Sequence, residues 1–512
     1  MVRPTDSYTT EPHRVDPPTQ GADFVVVANR LPVDRDTSAD ADPADGPVWR
    51  TSPGGLVTAV MPVMRAREGA WIGWAGTADE LFDPFDLDDM HLVPVRLGTE
   101  DIHNYYEGFS NATLWPLCHD VIVAPEYHRT WWDSYVRVNH RFAARVALEA
   151  ARGATVWVQD YQLFLVPQML RAMRPDLRIG FFLHIPFPPW EIFSQLPWRS
   201  AILRGILGAD LVGFQRPADA ANFRRAVRIK LGMTTKDDVI RIPAVPGTDE
   251  DDPGTPIRYA VARHFPISID TADLEAQAAD PATIARAAQI REELGDPRIL
   301  MLGVDRMDYT KGIRHRLKAL EELLGDKRIS NEDITFIQIA TPSRERLDEY
   351  QQIRTDVELA VGRINGEYSS LDNQVVHYFH HSYPREEMTA FYLAADVMLV
   401  TALRDGMNLV AKEYVACRTN NDGVLVLSEF AGAADQLRQA VQVNPHDITG
   451  LKDAIQLATE MPLKEQRKRM KPMRAKLGHE NVQAWSQEFL DALDTVADTQ
   501  DELSERLHDR RG

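Results

Sequence analysis

Short, fully apolar runs alternate along this chain with stretches of helical spacing, and that alternation leaves few folds open. The first series is FVVVA (24–28), ATVWV (154–158), IGFFL (179–183) and DLVGF (210–214). A second series follows, with RILMLGV (298–304), ITFIQIA (334–340), VVHYF (375–379), DVMLV (396–400) and GVLVL (423–427). Runs without polar alternation suit strands covered on both faces, as in parallel sheets. Helical patterns lie between them, at His140–Ala151 and at Arg314–Leu324, where Leu317, Leu320 and Leu324 share a face. The alternation predicts an α/β chain, and two series predict two Rossmann-like domains.

The expected boundaries follow composition. Residues 1–21, rich in Pro, Thr and charge, read as a disordered tail. A first domain is expected at 22–270 and a second at 271–480, the Ala-rich polar stretch 271–297 reading as a helical connector. Val482, Trp485, Phe489, Leu493 and Val496 mark a last amphipathic helix within 481–512, expected to cross back onto the first domain. The acidic stretches 34–47 and 248–255 read as solvated surface insertions.

Charge narrows the function. Among 512 residues the formal net charge is −19, opposite to the basic surplus of nucleic-acid binders, so a phosphate ligand would need a local cluster of cations. The two cysteines, Cys118 and Cys417, have no zinc spacing and read as buried thiols. Neither a secretory h-region nor a membrane-length apolar stretch occurs, so a soluble cytoplasmic protein is expected.

In the first half, Ala28-Asn29-Arg30 follows the first strand, and Gly54-Gly55 forms a turn whose amides either face a ligand or merely reverse the chain. IHNYYEGFSNATLWP (102–116) mixes aromatic faces with amides, which suits a hexose and equally an aromatic core. Asp160 and His184 each end a strand, where ligands bind in open α/β sheets; a helix cap and a structural histidine are the competing readings. In the second half, Arg306 and Lys311 lie just after a strand, with Gly312 leading into a helix, an arrangement suited to phosphate. Arg344 ends the next strand. Asp405-Gly406 forms a turn before a helix starting near Met407, whose amides suit a diphosphate, and Glu413 is placed to take a ribose diol or to lie on the helix surface.

In order, NRLPV, SPGGL, WIGW, YYEGFSNATLWP, VWVQDYQLFLVP, GFFLHIPFPPWEIF, VDRMDYTKG, RDGMNLVAKEYVA and VLSEFAGAA resemble the trehalose-6-phosphate synthases, retaining glycosyltransferases of family 20. The likeness runs from about residue 24 to beyond 445, with one departure, Gln162 in DYQL where the family commonly has His. The resemblance implies a GT-B fold, two Rossmann-like domains facing each other across a catalytic cleft. It implies transfer of glucose from UDP- or ADP-glucose to glucose 6-phosphate, with no cofactor, no metal and no nucleic-acid or membrane partner, in a dimer or tetramer. Asp160, His184, Arg306 and Lys311 would be the catalytic set. The donor would be held by Gly54, Gly55, His184, Arg306, Lys311, Asp405, Gly406, Met407, Asn408, Leu409, Val410 and Glu413. Arg30, Tyr106, Trp115, Asp160 and Arg344 would hold glucose 6-phosphate.

Charge development suggests the mechanism. Negative charge grows on the departing diphosphate, and fixed cations and helix amides stabilise it without a metal. With no evident carboxylate pair for a covalent intermediate, front-face attack with the leaving phosphate taking the acceptor proton is the expected route. The alternatives are a related transferase with another acceptor, glycerol phosphate or a pseudo-glycoside partner, and a non-catalytic sugar-phosphate sensor. The length leaves no expected room for a fused phosphatase domain.

Overall fold

The computed structural model describes residues 14–35, 48–52, 55–244, 256–500 and 502–503. The acidic stretches at 34–47 (apart from Asp34 and Arg35) and 248–255 lie outside the described residues, as do the tail up to residue 13 and Gly54. Two units are present. The first comprises Met1–Cys118, Pro125–Phe265 and Gln487–Gly512, and the second His119–Ala124 and Pro266–Ser486.

The first unit is built on twelve strands among the described residues. They are β1 (Ala22–Arg30), β2 (Val33–Arg35), β3 (Trp49–Thr51), β4 (Ala70–Trp74), β5 (Phe85–Leu87), β6 (Met90–Pro94), β7 (Ala150–Gln159), β8 (Arg178–Phe182), β9 (Leu211–Phe214), β10 (Thr235–Lys236), β11 (Val239–Ile242) and β12 (Arg258–His264). Ten of them form one sheet in the order β10-β11-β12-β9-β8-β7-β1-β4-β6-β5, while β2 and β3 pair by themselves. The strands from β12 to β6 run parallel, and only the edge pairs at β10, β11 and β5 are antiparallel. From β1 the chain builds outward through β4 and β6, then returns to β7 on the other side, so the strand order reverses between β1 and β7. A crevice opens at such a reversal, outside the carboxyl ends of the strands.

The second unit holds β13 (Ile299–Arg306), β14 (Ile334–Thr341), β15 (Val376–Phe379), β16 (Val397–Val400), β17 (Val424–Ser428) and β18 (Val441–Val443). They form a parallel sheet in the order β15-β14-β13-β16-β17-β18, the dinucleotide-fold order, which reverses between β13 and β16. Met301, Phe336, Val376, Leu399 and Val426 on the strands pack with Leu317, Leu320 and Leu324 of the helix Ile313–Gly325 in one buried cluster.

Three details depart from the residue patterns. The helix expected at His140–Ala151 runs from Arg129 to Glu149, because Trp132, Tyr135 and Val138 extend the buried face towards its start. The 271–297 stretch is not a free connector. Its helices, Thr271–Ala279 and Pro281–Glu293, belong to the second unit, burying Leu274, Ala278, Ala287 and Ile290, and Arg286 pairs with Glu387 at 2.8 Å. Part of the tail is anchored, since the Val15 N–H donates to the Met173 carbonyl at 3.0 Å.

The last helix, Val482–Asp498, contains the passage from the second unit to the first. On the first-unit side, fully buried Phe489 stacks on Trp157 at 4.8 Å and meets Phe265 edge-on at 5.1 Å. No helix among the described residues is long and apolar enough to cross a membrane.

Candidate active site

In the first unit the predicted residues gather at the carboxyl ends of β1 and β7, where the strand order reverses. Arg30 ends β1, lies over the Trp74 ring at 5.0 Å and pairs with Asp34 at 2.5 Å. Tyr106 meets the same Trp74 edge-on at 5.9 Å. Tyr106 sits on Ile102–Leu114, which winds as a π-helix, a rare form found frequently at functional sites. Trp115 follows that helix, is buried, and packs on Tyr161 at 5.7 Å.

Asp160 directly follows β7 with a φ of 73°, a backbone conformation that costs a non-glycine residue about 1–3 kcal/mol. The surroundings enforce it. Its N–H donates to the Phe182 carbonyl at 2.8 Å, and its Oδ1 accepts the His184 N–H at 3.2 Å. The next residue, Tyr161, is held by its hydroxyl on Asn111 Oδ1 (2.8 Å) and by the Tyr135 hydroxyl on its carbonyl (2.7 Å). His184 Nε2 lies 2.9 Å from Gln159 Oε1, and burial pushes the imidazole down to about 3, so it is neutral at ordinary pH. Gln162, the departure from the family pattern, is mostly buried and its carbonyl accepts from Asn139 at 3.0 Å.

In the second unit the chemistry lies at the ends of β13 and β16, again at the reversal. Arg306 is the last residue of β13 and is exposed. The turn after it places Lys311, whose Nζ reaches Asp405 Oδ2 at 2.6 Å. Gly312 makes this approach possible, since a Cβ there would lie 2.0 Å from the Thr401 carbonyl oxygen and its φ is 66°. The Leu403 N–H donates to the Thr310 carbonyl at 2.7 Å and ties the two strand-end loops together. Beneath them Arg316, fully buried, holds Asp305 (2.6 Å), Thr401 (2.9 Å) and the Lys311 carbonyl (3.3 Å).

Asp405 also accepts from Asn408 Nδ2 at 3.1 Å. Burial raises its carboxyl, but Lys311 and Asn408 outweigh that and hold it below the usual range. Gly406 passes so close to Gly432 that a Cβ on Gly432 would lie 2.0 Å from the Gly406 oxygen, and the Met407 carbonyl accepts the Ala433 N–H at 2.8 Å. Asn408, with φ 81°, caps the helix Leu409–Cys417 by accepting the Ala411 N–H at 3.0 Å. The first amides of that helix, on Leu409 and Val410, have no carbonyl of their own helix to donate to. One turn on, Glu413 accepts the Tyr392 hydroxyl at 2.8 Å, and burial pushes its carboxyl up. Gly55 opens the helix Gly55–Arg67, and its partner Gly54 lies outside the described residues.

Several members of this constellation escaped the motif reading. Asp308 is fully buried, accepts from the Thr310 N–H at 2.9 Å and receives the Tyr350 hydroxyl at 3.0 Å. Burial would raise Asp308, yet Arg344, then Arg306 and Lys311, hold it at about 2. Arg344 lies 3.4 Å from it, at a φ of 51°. Arg344, grouped by resemblance with the acceptor residues, thus stands in the second unit beside the two cations assigned to the donor. Asp120, from the short inserted segment of that unit, pairs with Arg404, the neighbour of Asp405, at 3.3 Å. Asp308 lay in plain view inside VDRMDYTKG, between the two cations, whereas nothing marked Tyr350, Tyr392 or Asp120. Among the described residues no group of three or more His, Cys, Asp or Glu is placed to hold a metal ion.

Comparison with known proteins bears on the family and the fold. Residues 22–495 match the profile of glycosyltransferase family 20. A trehalose-6-phosphate synthase of Mycolicibacterium smegmatis is 55% identical over 480 residues, 94% of each chain. A crystal structure of an α,α-trehalose-phosphate synthase (UDP-forming) from Burkholderia xenovorans in complex with glucose-6-phosphate superposes with a TM-score of 0.81 at 33% identity, covering 92% of this chain and 99% of that one. A trehalose-6-phosphate protein from E. coli bound with UDP-2-fluoro glucose gives a TM-score of 0.80 at 33% identity, covering 92% and 98%. Two doubly wound units of the GT-B type, a cation cluster at one sheet reversal and this extent of likeness lead to one conclusion: the chain belongs to glycosyltransferase family 20.

Proposed function

We propose that this chain transfers glucose from a nucleoside-diphosphate glucose, UDP- or ADP-glucose, to glucose 6-phosphate with retention, forming trehalose 6-phosphate and the nucleoside diphosphate. The observation that carries the reading is the gathering of Arg306, Lys311 and Arg344 around buried Asp308, beside the helix that starts at Leu409. In a chain of net charge −19, such a cluster is a specific provision for phosphate.

The roles follow from the chemistry of each group. Arg306, Lys311 and the amides of Met407–Val410, with the Gly54–Gly55 turn, take the diphosphate as negative charge grows on it, which is preorganised electrostatic stabilisation. Glu413, its other oxygen held by Tyr392, takes the ribose hydroxyls. Asp405 and neutral His184 take hydroxyls of the transferred glucose. Arg30, Tyr106 and Trp115 take the acceptor hexose, Arg344 its phosphate, and Asp160 its hydroxyls. The acceptor hydroxyl attacks C1 on the face the diphosphate leaves, and the leaving phosphate oxygen takes its proton. The enzyme is read as cytoplasmic and as a dimer or tetramer, and light scattering on the purified chain checks the oligomeric state.

A donor panel with glucose 6-phosphate as acceptor, product followed by mass, tests the reading. A disaccharide monophosphate with stoichiometric nucleoside diphosphate is expected. Product only with another acceptor, or none with any donor, would overturn it.

A further inference from the structure

Lys412 precedes Glu413 on the helix Leu409–Cys417, and its side chain is fully buried. Its Nζ donates to the Ile267 carbonyl at 2.5 Å and to Gln436 Oε1 at 2.6 Å, and Gln436 Nε2 donates on to Glu480 Oε2 at 2.5 Å. Ile267 is the second residue of the Pro266–Ser486 segment, just after the chain passes from the first unit. Glu480 follows the helix Leu463–His479, just ahead of the helix in which the chain passes back. The two stretches are themselves joined, by the Val482 N–H on the Ile269 carbonyl (3.0 Å) and Thr271 Oγ1 on the Leu477 carbonyl (3.2 Å). One ammonium therefore fastens this helix to the backbone at the first passage and, through the Gln436 and Glu480 side chains, to the stretch leading into the second.

For stability alone, a buried ammonium is a poor choice. Burial pushes Lys412 down to about 7, against the pull of Glu480 and with a smaller push from Lys476. An apolar side chain of similar length would fill the same space as well or better. What it would not supply is the pair of directional bonds to Ile267 and Gln436, whose geometry constrains where the helix sits along its axis. The first amides of this helix and Glu413 are the groups assigned above to the diphosphate and the ribose, and they move together if the helix slides.

We propose that Lys412 is a positioning residue for the nucleotide, setting the helix start and Glu413 in place through Ile267 and the Gln436–Glu480 relay. The proposal rests on the reading of Asp405–Glu413 as donor site. Lys412→Met in the full chain tests it, with thermal melting, calorimetric titration of UDP and of ADP, and Michaelis constants for both substrates. The expected result is a lower melting temperature, since the Ile267 carbonyl and Gln436 Oε1 lose their buried donor, and roughly tenfold weaker binding of whichever nucleotide the wild type binds. The KM for glucose 6-phosphate should stay unchanged. A folded variant with wild-type nucleotide affinity, or an equal rise in both Michaelis constants, overturns it. Should Lys412→Met not fold, Gln436→Leu cuts the relay; a loss of about threefold confined to the donor is expected, and an unchanged donor constant overturns the proposal. Glu413→Gln separates the two levels: wild-type nucleotide affinity in that variant refutes the donor-site reading itself.

Discussion

Lys311 Nζ lies 2.6 Å from Asp405 Oδ2, in a pair whose side chains are 11% and 13% exposed. Each charge is compensated by the other before any substrate arrives, and a diphosphate entering here meets a lysine already aimed by a carboxylate. Lys311→Ala is therefore expected to lower turnover by about 10²–10³-fold, the loss typical of one preorganised charge. It also strands a buried carboxylate, which lowers the melting temperature. The pair Lys311→Ala with Asp405→Asn should recover the melting temperature but not turnover. Wild-type turnover in the single variant would remove Lys311 from the diphosphate site.

Arg344 shares its setting with Asp308 and Tyr350, whose contacts hold its guanidinium in place. A charge-assisted bond to phosphate contributes about 1.5–3 kcal/mol, so Arg344→Ala should raise the KM for glucose 6-phosphate by roughly 10–100-fold. The donor KM should move little. Lysine should not restore the loss, because it cannot reproduce a planar two-pronged contact. An unchanged acceptor dependence counts against the assignment.

The alternation of apolar runs made the central strands legible, β1 and β7 to β9 in the first sheet and β13 to β17 in the second, because strands buried on two faces leave unbroken apolar runs that loops do not imitate. The flanking strands β4 to β6, β10 to β12 and β18 were not marked in this way. The strand ends bearing Arg30, Asp160, Arg306 and Lys311 were legible for the same reason. What the pattern concealed was set by tertiary contact. Tyr350 and Tyr392 reach Asp308 and Glu413 from helices whose own spacing looks ordinary. The stretch 271–297 read as a connector because it is polar, yet Leu274, Ala278, Ala287 and Ile290 bury a face on its two helices. Lys412 stood inside a quoted motif, but a lysine on a helix reads as a surface residue until its partners at Ile267 and Gln436 are seen.

Chelation should leave activity intact. On the proposed assignment Arg306, Lys311 and helix amides stabilise the negative charge of the leaving group, the role a divalent cation would otherwise take. Full turnover after exhaustive treatment with a chelator is the expected outcome, measured as released nucleoside diphosphate. Complete loss, restored by a divalent cation, would show that the protein cations are insufficient.

His184 links the site to stability through pH. Burial lowers its folded value to about 3, whereas an unfolded histidine titrates near 6.5. Between these values the unfolded chain binds the proton and the folded chain does not, so acid favours unfolding. The contribution is complete above about pH 6.5 and is lost progressively as pH falls towards 3, at no more than about 1.4 kcal/mol per pH unit. Other histidines add their own slopes, so the comparison with a variant isolates this one. His184→Asn keeps a side chain able to bond Gln159 Oε1 but removes the titration. Its melting temperature should fall less steeply than that of the wild type between pH 7.5 and pH 5, whatever their difference at pH 7.5. Parallel slopes would mean that the imidazole titrates in the folded protein much as it does in the unfolded chain, and burial would then not be what keeps it neutral.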